Sequence, residues 1–93
     1  MRTGRPKLAE PLVIGEWWKN RRGESIRVRL STYEGHNLFD VRTWFPKDGK
    51  LLPGKGFCCH TKHLPKLVSV LEKALVQARE RGLINADDEG ADE

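Results

Sequence analysis

The sequence predicts an α+β fold: a four-stranded antiparallel β-meander followed by one C-terminal α-helix. Three observations carry that prediction. Runs rich in β-branched and aromatic residues fill positions 12–59. Short Gly-, Asn- and Asp-containing segments separate them, and tight turns of this kind join strands that lie side by side. From Leu64 onward the apolar repeat changes from two residues to between three and four, the period of a helix.

Leu12-Val13-Ile14-Gly15-Glu16-Trp17-Trp18 reads as the first strand, and Asn20 to Gly23 as the turn after it. Ser25 to Tyr33 alternates cleanly. Ile26, Val28 and Leu30 fall on one face, and Arg27, Arg29, Ser31 and Tyr33 on the other. The next turn centres on Gly35. Asn37 to Phe45 is the third strand, with Phe39 and Val41 on one face and Asp40, Arg42 and Trp44 on the other. Asp48-Gly49 is the strongest hairpin signal in the chain. The fourth segment, Leu51 to Cys59, contains Pro53, Gly54 and Gly56, which favour an edge strand, a bulge or close backbone approach to a ligand.

Thr61 reads as the N-cap of the helix, with Pro65 in its first turn. Leu64, Leu67, Val68, Leu71, Ala74, Leu75 and Ala78 follow helical spacing, and Gly82 is the stop. Val70 widens the apolar arc beyond what one sheet face covers. The excess points to the same helix of a second subunit, with Leu67, Val70, Leu71 and Ala74 at the contact. The organisation is a basic arm without apolar periodicity over residues 1–11, expected to be mobile, one domain over 12–84, and an acidic tail over 85–93, expected to be disordered. Thr3 to Lys7 contains the Gly-Arg-Pro order of minor-groove AT-hooks but lacks the preceding Arg, so an ordinary solvated arm is the simpler reading.

Charge narrows the function. The chain has 93 residues and a formal charge of +4, and five of its 13 acids lie in the tail. Residues 1–84 therefore set 17 Lys and Arg against eight acids, a net of +9. A body that basic attracts polyanions, and the tail competes with them for the basic face. No run approaches the roughly 18 apolar residues of a spanning helix, and no apolar stretch follows the basic start as in a secretory signal. The adjacent Cys58 and Cys59 cannot bridge each other readily, and vicinal thiols beside His60 and His63 do not converge as zinc ligands do. The expectation is a reduced, cytoplasmic or nuclear protein with no metal and no cofactor. There is no nucleophile–base spacing, carboxylate pair or phosphate loop, so an enzyme is not expected.

One sheet face is therefore left wet. It carries Arg27, Arg29, Tyr33, Arg42 and Trp44, with Lys47, Lys50 and Lys55 flanking it. Cations neutralise phosphates, and exposed rings stack on bases that duplex DNA keeps hidden, so this face suits a single strand. Tyr33 and Trp44 could alternatively pair across the hairpin. Gly54 and Gly56 could admit a phosphate to the backbone or simply make a bulge. Asp40 is the partner expected for Arg42 or a neighbouring arginine. An RNA binder on the same face and a protein-interaction module using the sheet edge or helix are the rival readings.

Arg29-Leu30-Ser31-Thr32-Tyr33-Glu34-Gly35, Asp40-Val41-Arg42-Thr43-Trp44 and Gly54-Lys55-Gly56, in this order before an amphipathic helix, resemble the positive-cofactor-four family of transcriptional coactivators, its short bacterial members above all. The resemblance covers about residues 12–80. It implies a curved sheet and a homodimer built through the helix. It also implies sequence-independent binding of single-stranded or melted DNA in transcription or repair, beside the transcription machinery. By the same resemblance Tyr33 is a stacking ring, Trp44 or Phe45 the other, and Arg42 and Lys55 are phosphate contacts. Glu34 and Leu52 depart from positions that are often basic in the family, which implies weaker phosphate binding.

Overall fold

The computed structural model describes residues 5–85. It contains β1 (Leu12–Trp18), β2 (Ser25–Tyr33), β3 (His36–Lys47) and β4 (Lys50–His60), then a short 3-10 turn (Thr61–His63) and helix α1 (Leu64–Glu80). The strands form one antiparallel sheet in the order β1-β2-β3-β4. The expected meander and closing helix are thus present, each strand within two residues of its predicted ends. The sheet, through Thr61, and the helical segment from Lys62 are separate compact units.

The two hairpin turns explain why the strands pair as they do. Glu34-Gly35 has φ of 50° and 82°, and Asp48-Gly49 has 53° and 77°. Positive φ at both central residues is what a type I′ turn needs, and its twist matches that of paired strands. Asn20 organises the β1–β2 connection differently. Its Oδ1 accepts from Arg22 N at 2.9 Å and Glu24 N at 3.4 Å, and its Nδ2 donates to Glu24 Oε1 at 2.6 Å.

Two bulges break the ladder. In β1 the register slips between Val13 and Gly15, leaving Ile14 unpaired. In β4 an extra residue enters opposite Thr43, where Gly54 and Lys55 lie. Gly56 beside that bulge serves packing. A Cβ there would lie 2.5 Å from Val41 O and 2.7 Å from Arg42 Cα, so only glycine lets β4 approach β3 so closely. Of the two roles the sequence allows for Gly54 and Gly56, bulge and close strand packing is the one these contacts serve.

The apolar face of the sheet is built from Ile26, Val28 and Leu30 opposite Thr43, Val41 and Phe39, with Phe57 and Cys59 continuing it into β4. Yet among the described residues Phe39, 8% exposed, is the one buried hydrophobic side chain. The helix buries none of its residues, and Val68, Val70, Leu71, Leu75 and Val76 are all exposed.

The helix start differs from expectation. Thr61 opens the 3-10 turn, and His63 is the N-cap, without a side-chain hydrogen bond, while Pro65 sits in the first turn. Its missing N–H costs nothing there, because the first turn's donors have no intrahelical partner. At the other end Gly82 adopts φ +71°, with Gly82 N donating to Arg79 O and Leu83 N to Ala78 O. This is the glycine-terminated Schellman ending. Two hydrogen bonds join arm residues to the sheet. Leu8 N donates to Thr32 Oγ1 at 2.8 Å and Asn37 Nδ2 to Pro6 O at 2.9 Å, which ties residues 6–8 to the ends of β2 and β3. The Thr3-Gly4 half of the AT-hook-like stretch and acidic-tail residues 86–93 lie outside the described residues.

Candidate nucleic-acid interface

In an antiparallel sheet, residues paired across strands share a face. The observed register therefore lays out the polar face row by row. Trp18, Ser25, Trp44 and Pro53 form the first row; Glu16, Arg27, Arg42 and Gly56 the second; Val13, Arg29, Asp40 and Cys58 the third. Ser31, Leu38 and His60 follow, and Tyr33 pairs with His36 at the far end. Rings thus stand at both ends, with arginines between. Eight residues of β3 separate Trp44 from His36, which at strand rise is about 26 Å. Tyr33 and Trp44 share the face but do not pair across the hairpin: Tyr33 lies opposite His36, and Trp44 opposite Ser25.

The central arginines are held by acids. Arg42 donates through Nε to Asp40 Oδ2 and Oδ1, at 3.1 and 3.3 Å, and through Nη2 to Oδ2 at 2.8 Å. Its Nη1 donates to Gly54 O at 2.9 Å, bracing the β4 bulge. The Asp40 carboxylate raises the Arg42 pKa above its ordinary value, chiefly by these hydrogen bonds, against a smaller opposing effect of burial. Asp40, 6% exposed, is therefore a buried acid with a fixed partner, the role expected of it. Arg27 Nε donates to Glu16 Oε1 at 2.7 Å across the β1–β2 pair. Among the described residues Arg29 is the arginine of this face without a carboxylate in ion-pair contact, although Asp40 is its cross-strand neighbour.

Trp44 is not an open ring. The guanidinium carbons of Arg27 and Arg29 lie 4.9 and 5.0 Å from its ring centroid. Such contacts are each worth about 0.5–2 kcal/mol, depending on desolvation. Trp44 Nε1, Arg29 Nε and Ser25 Oγ are buried with no hydrogen-bond partner among the described residues. Tyr33, by contrast, is 65% exposed. Phe45, the alternative stacking position, lies on the opposite pleat, paired with Leu52.

The lysines are placed unevenly. Lys47 and Lys50 pair with each other at the β3–β4 turn, and the register puts them on the pleat of Phe45 and Val41 rather than that of Arg42. Lys55 is exposed at the β4 bulge, where its carbonyl accepts from Thr43 Oγ1 at 3.0 Å. The predicted residues that the fold gathers on one face are thus Arg27, Arg29, Tyr33, Arg42 and Trp44. Sequence reasoning missed Glu16 and Trp18, which belong to the same face. Which of the adjacent Trp17 and Trp18 faces the cations is set by the register at the β1–β2 connection, where Trp18 pairs with Ser25 and Trp17 with Ile26.

The described residues contain no helix long and apolar enough to cross a membrane. They also contain no cluster of three or more His, Cys, Asp or Glu able to hold a metal ion. Comparison with curated proteins finds no match, and neither does comparison with solved structures. The family model described as Transcriptional Coactivator p15 (PC4) matches residues 18–69, which include Trp18, Arg27, Arg29, Tyr33, Arg42 and Trp44 and run into the helix. That is more than half of the 93 residues. An open sheet face with rings at its ends and arginines at its centre, within this match, places the chain in the Transcriptional Coactivator p15 (PC4) family, with a nucleic-acid-binding role of the coactivator type.

Proposed function

We propose that the protein is a homodimer that binds single-stranded or locally melted DNA, without sequence preference, across the polar face of each sheet, and so acts in transcription or repair. The observation that carries the reading is the layout of that face. Arg29 without an ion pair, the pre-oriented Arg27 and Arg42, and the exposed ring of Tyr33 follow one another along about 20 Å of strand. Cations spaced this way meet successive phosphates, and a free phenol ring offers a stacking surface only to a base that has left its duplex.

The roles are not equal. Arg29 and Lys55 are direct phosphate contacts. Arg27 and Arg42 keep one side of the guanidinium on Glu16 and Asp40 and present the remaining N–H groups. Lys47 and Lys50 contribute long-range attraction from the other pleat. Two to four phosphates engaged per subunit would give a salt slope of about −1.4 to −2.8 on a log–log plot for a single strand.

The dimer follows from what one chain leaves uncovered. A subunit with a single buried hydrophobic side chain among its described residues, and with Val70 and Leu71 about half exposed, has too little core to stand alone. Helix residues Leu67, Val70, Leu71 and Ala74 are proposed as the contact.

Fluorescence anisotropy with labelled oligothymidine and the matched duplex tests the reading. Tighter binding of the single strand, weakened about five- to 150-fold by Tyr33→Ala, is expected. Equal or tighter duplex binding contradicts it. An oligouridine competing better than oligothymidine would move the assignment to RNA.

A further inference from the structure

We propose that Trp18 is a further base-stacking ring of the polar face, positioned at the β1 edge to receive an unpaired base of the same strand. The inference rests on the reading that this face binds single-stranded nucleic acid, and it adds a residue and an end to the path.

Three observations carry it. First, the register places Trp18 in the row of Ser25 and Trp44, on the pleat that bears Arg27 and Arg29. Trp17 pairs with Ile26 and belongs to the other pleat. Second, Trp18 is 59% exposed, and among the described residues no ring or cation lies against it. Trp44 in the same row is covered by two guanidiniums. A base arriving at this end meets an occupied indole at Trp44 and a free one at Trp18, about 10 Å away across two strand spacings. Third, cations stand near it, with Arg27 held by Glu16 at 2.7 Å and Lys19 lying 4.0 Å from Glu24. Lys19 follows Trp18 in the chain, and Arg27 and Arg29 stand in the next two rows. Trp17 and other apolar residues of β1 are exposed as well, but Trp17 lies on the other pleat, and an exposed indole on the pleat of Arg27 and Arg29 suits a stacked base with its phosphate beside it. Ser25 between the two indoles is only 4% exposed, so the row is closed at its base and offers rings rather than a cleft.

With Tyr33 at the far end, the strand is then gripped by an open ring at each end and by arginines between. The spacing makes the contribution of Trp18 depend on ligand length. An oligonucleotide too short to span about 26 Å cannot use both rings at once.

The test uses the full chain and oligothymidine ligands of four and twelve nucleotides. Trp18→Ala should weaken binding of the longer ligand about tenfold, within the range for loss of one stacked base. Trp18→Phe, which keeps a flat ring, should stay within about threefold of wild type. The loss should be smaller on the tetramer. In a Trp17→Phe, Trp44→Phe background, where Trp18 is the only indole, oligothymidine should quench the fluorescence. Circular dichroism and sedimentation confirm that each variant keeps its fold and mass. Wild-type affinity in Trp18→Ala, with Tyr33→Ala impaired, overturns the inference and leaves the reading of the face intact. A change of assembly state in Trp18→Ala, read by sedimentation, also overturns it, by making Trp18 a contact between copies of the chain. Failure of the wild-type protein to prefer a single strand defeats both.

Discussion

Replacing Asp40 with alanine should destabilise the fold by about 2 kcal/mol. Its carboxylate is nearly enclosed and accepts from Arg42 at 2.8, 3.1 and 3.3 Å. Hydrogen bonds to charged partners are worth about 1.5–3 kcal/mol when broken. Removing one member of a fully buried pair costs about 3–5 kcal/mol. The Arg42 side chain is 26% exposed, so its guanidinium regains part of its hydration once the acid is gone, and the lower range applies. The brace from Arg42 Nη1 to Gly54 O would survive only partly, loosening the β4 bulge. Urea unfolding at one fixed protein concentration is the assay, because the apparent stability of the proposed dimer would depend on concentration. A double-mutant cycle with Arg42→Ala isolates the pair. The two single variants should sum to a greater loss than the double variant, by at least about 1 kcal/mol. A loss under about 0.5 kcal/mol in Asp40→Ala, with additive energies in the cycle, would refute the claim that this pair orders the centre of the face.

Further expectations follow from other contacts. Gly56→Ala drives a Cβ against the backbone of Val41 and Arg42 and should cost about 1–3 kcal/mol in urea unfolding, whereas Gly35→Ala, with open space around it, is strained only by its positive φ. Arg29→Ala removes the one arginine of the face without a carboxylate in ion-pair contact and should reduce the magnitude of the salt slope on a single strand by about 0.7 per subunit; an unchanged slope would show that Arg29 meets no phosphate. The hydrogen bond from Asn20 holds the Glu24 carboxyl below its usual range in the folded chain. A lowered folded-state pKa gives stability that is present above the unfolded value, about 4.3, and lost as pH falls through the folded one. Wild type should therefore exceed Glu24→Gln in stability at pH 6, with the gap closing in more acidic solution; a gap independent of pH would remove that role from Glu24.

Much of the fold is legible in the residues because local chemistry and global pairing agree. The alternation of Ile26, Val28 and Leu30 with Arg27 and Arg29 survives intact in β2, and both Gly35 and Gly49 sit where a hairpin needs positive φ. The edge strands are less legible. The pairing next to the β1–β2 connection decides that Trp18 and Glu16, not Trp17, join the cationic face, and the bulge at Ile14 shifts only Leu12 and Val13. The ion pair of Glu16 with Arg27 spans 11 positions and depends on that pairing. Charge counting therefore overstates the free cations, since Arg27 and Arg42 are each matched by an acid. The arginine cover on Trp44 is hidden from the sequence for a similar reason. Alternation places Trp44 on the polar face, but whether its ring is open or roofed depends on side-chain directions from the neighbouring strand. The anchoring of Leu8 on Thr32 is a contact between a polar arm and a strand 24 residues away, and composition carries no trace of it.

The central claim is that the face of Arg29, Arg42 and Tyr33 holds the single strand. Its most direct test is an NMR titration of the labelled protein with oligothymidine. Shifts should concentrate on Arg27, Arg29, Tyr33, Arg42 and the indole of Trp18, while Val28, Phe39 and Val41 on the opposite pleat stay still. Perturbations centred on that apolar pleat, with the arginine rows unmoved, would contradict the account.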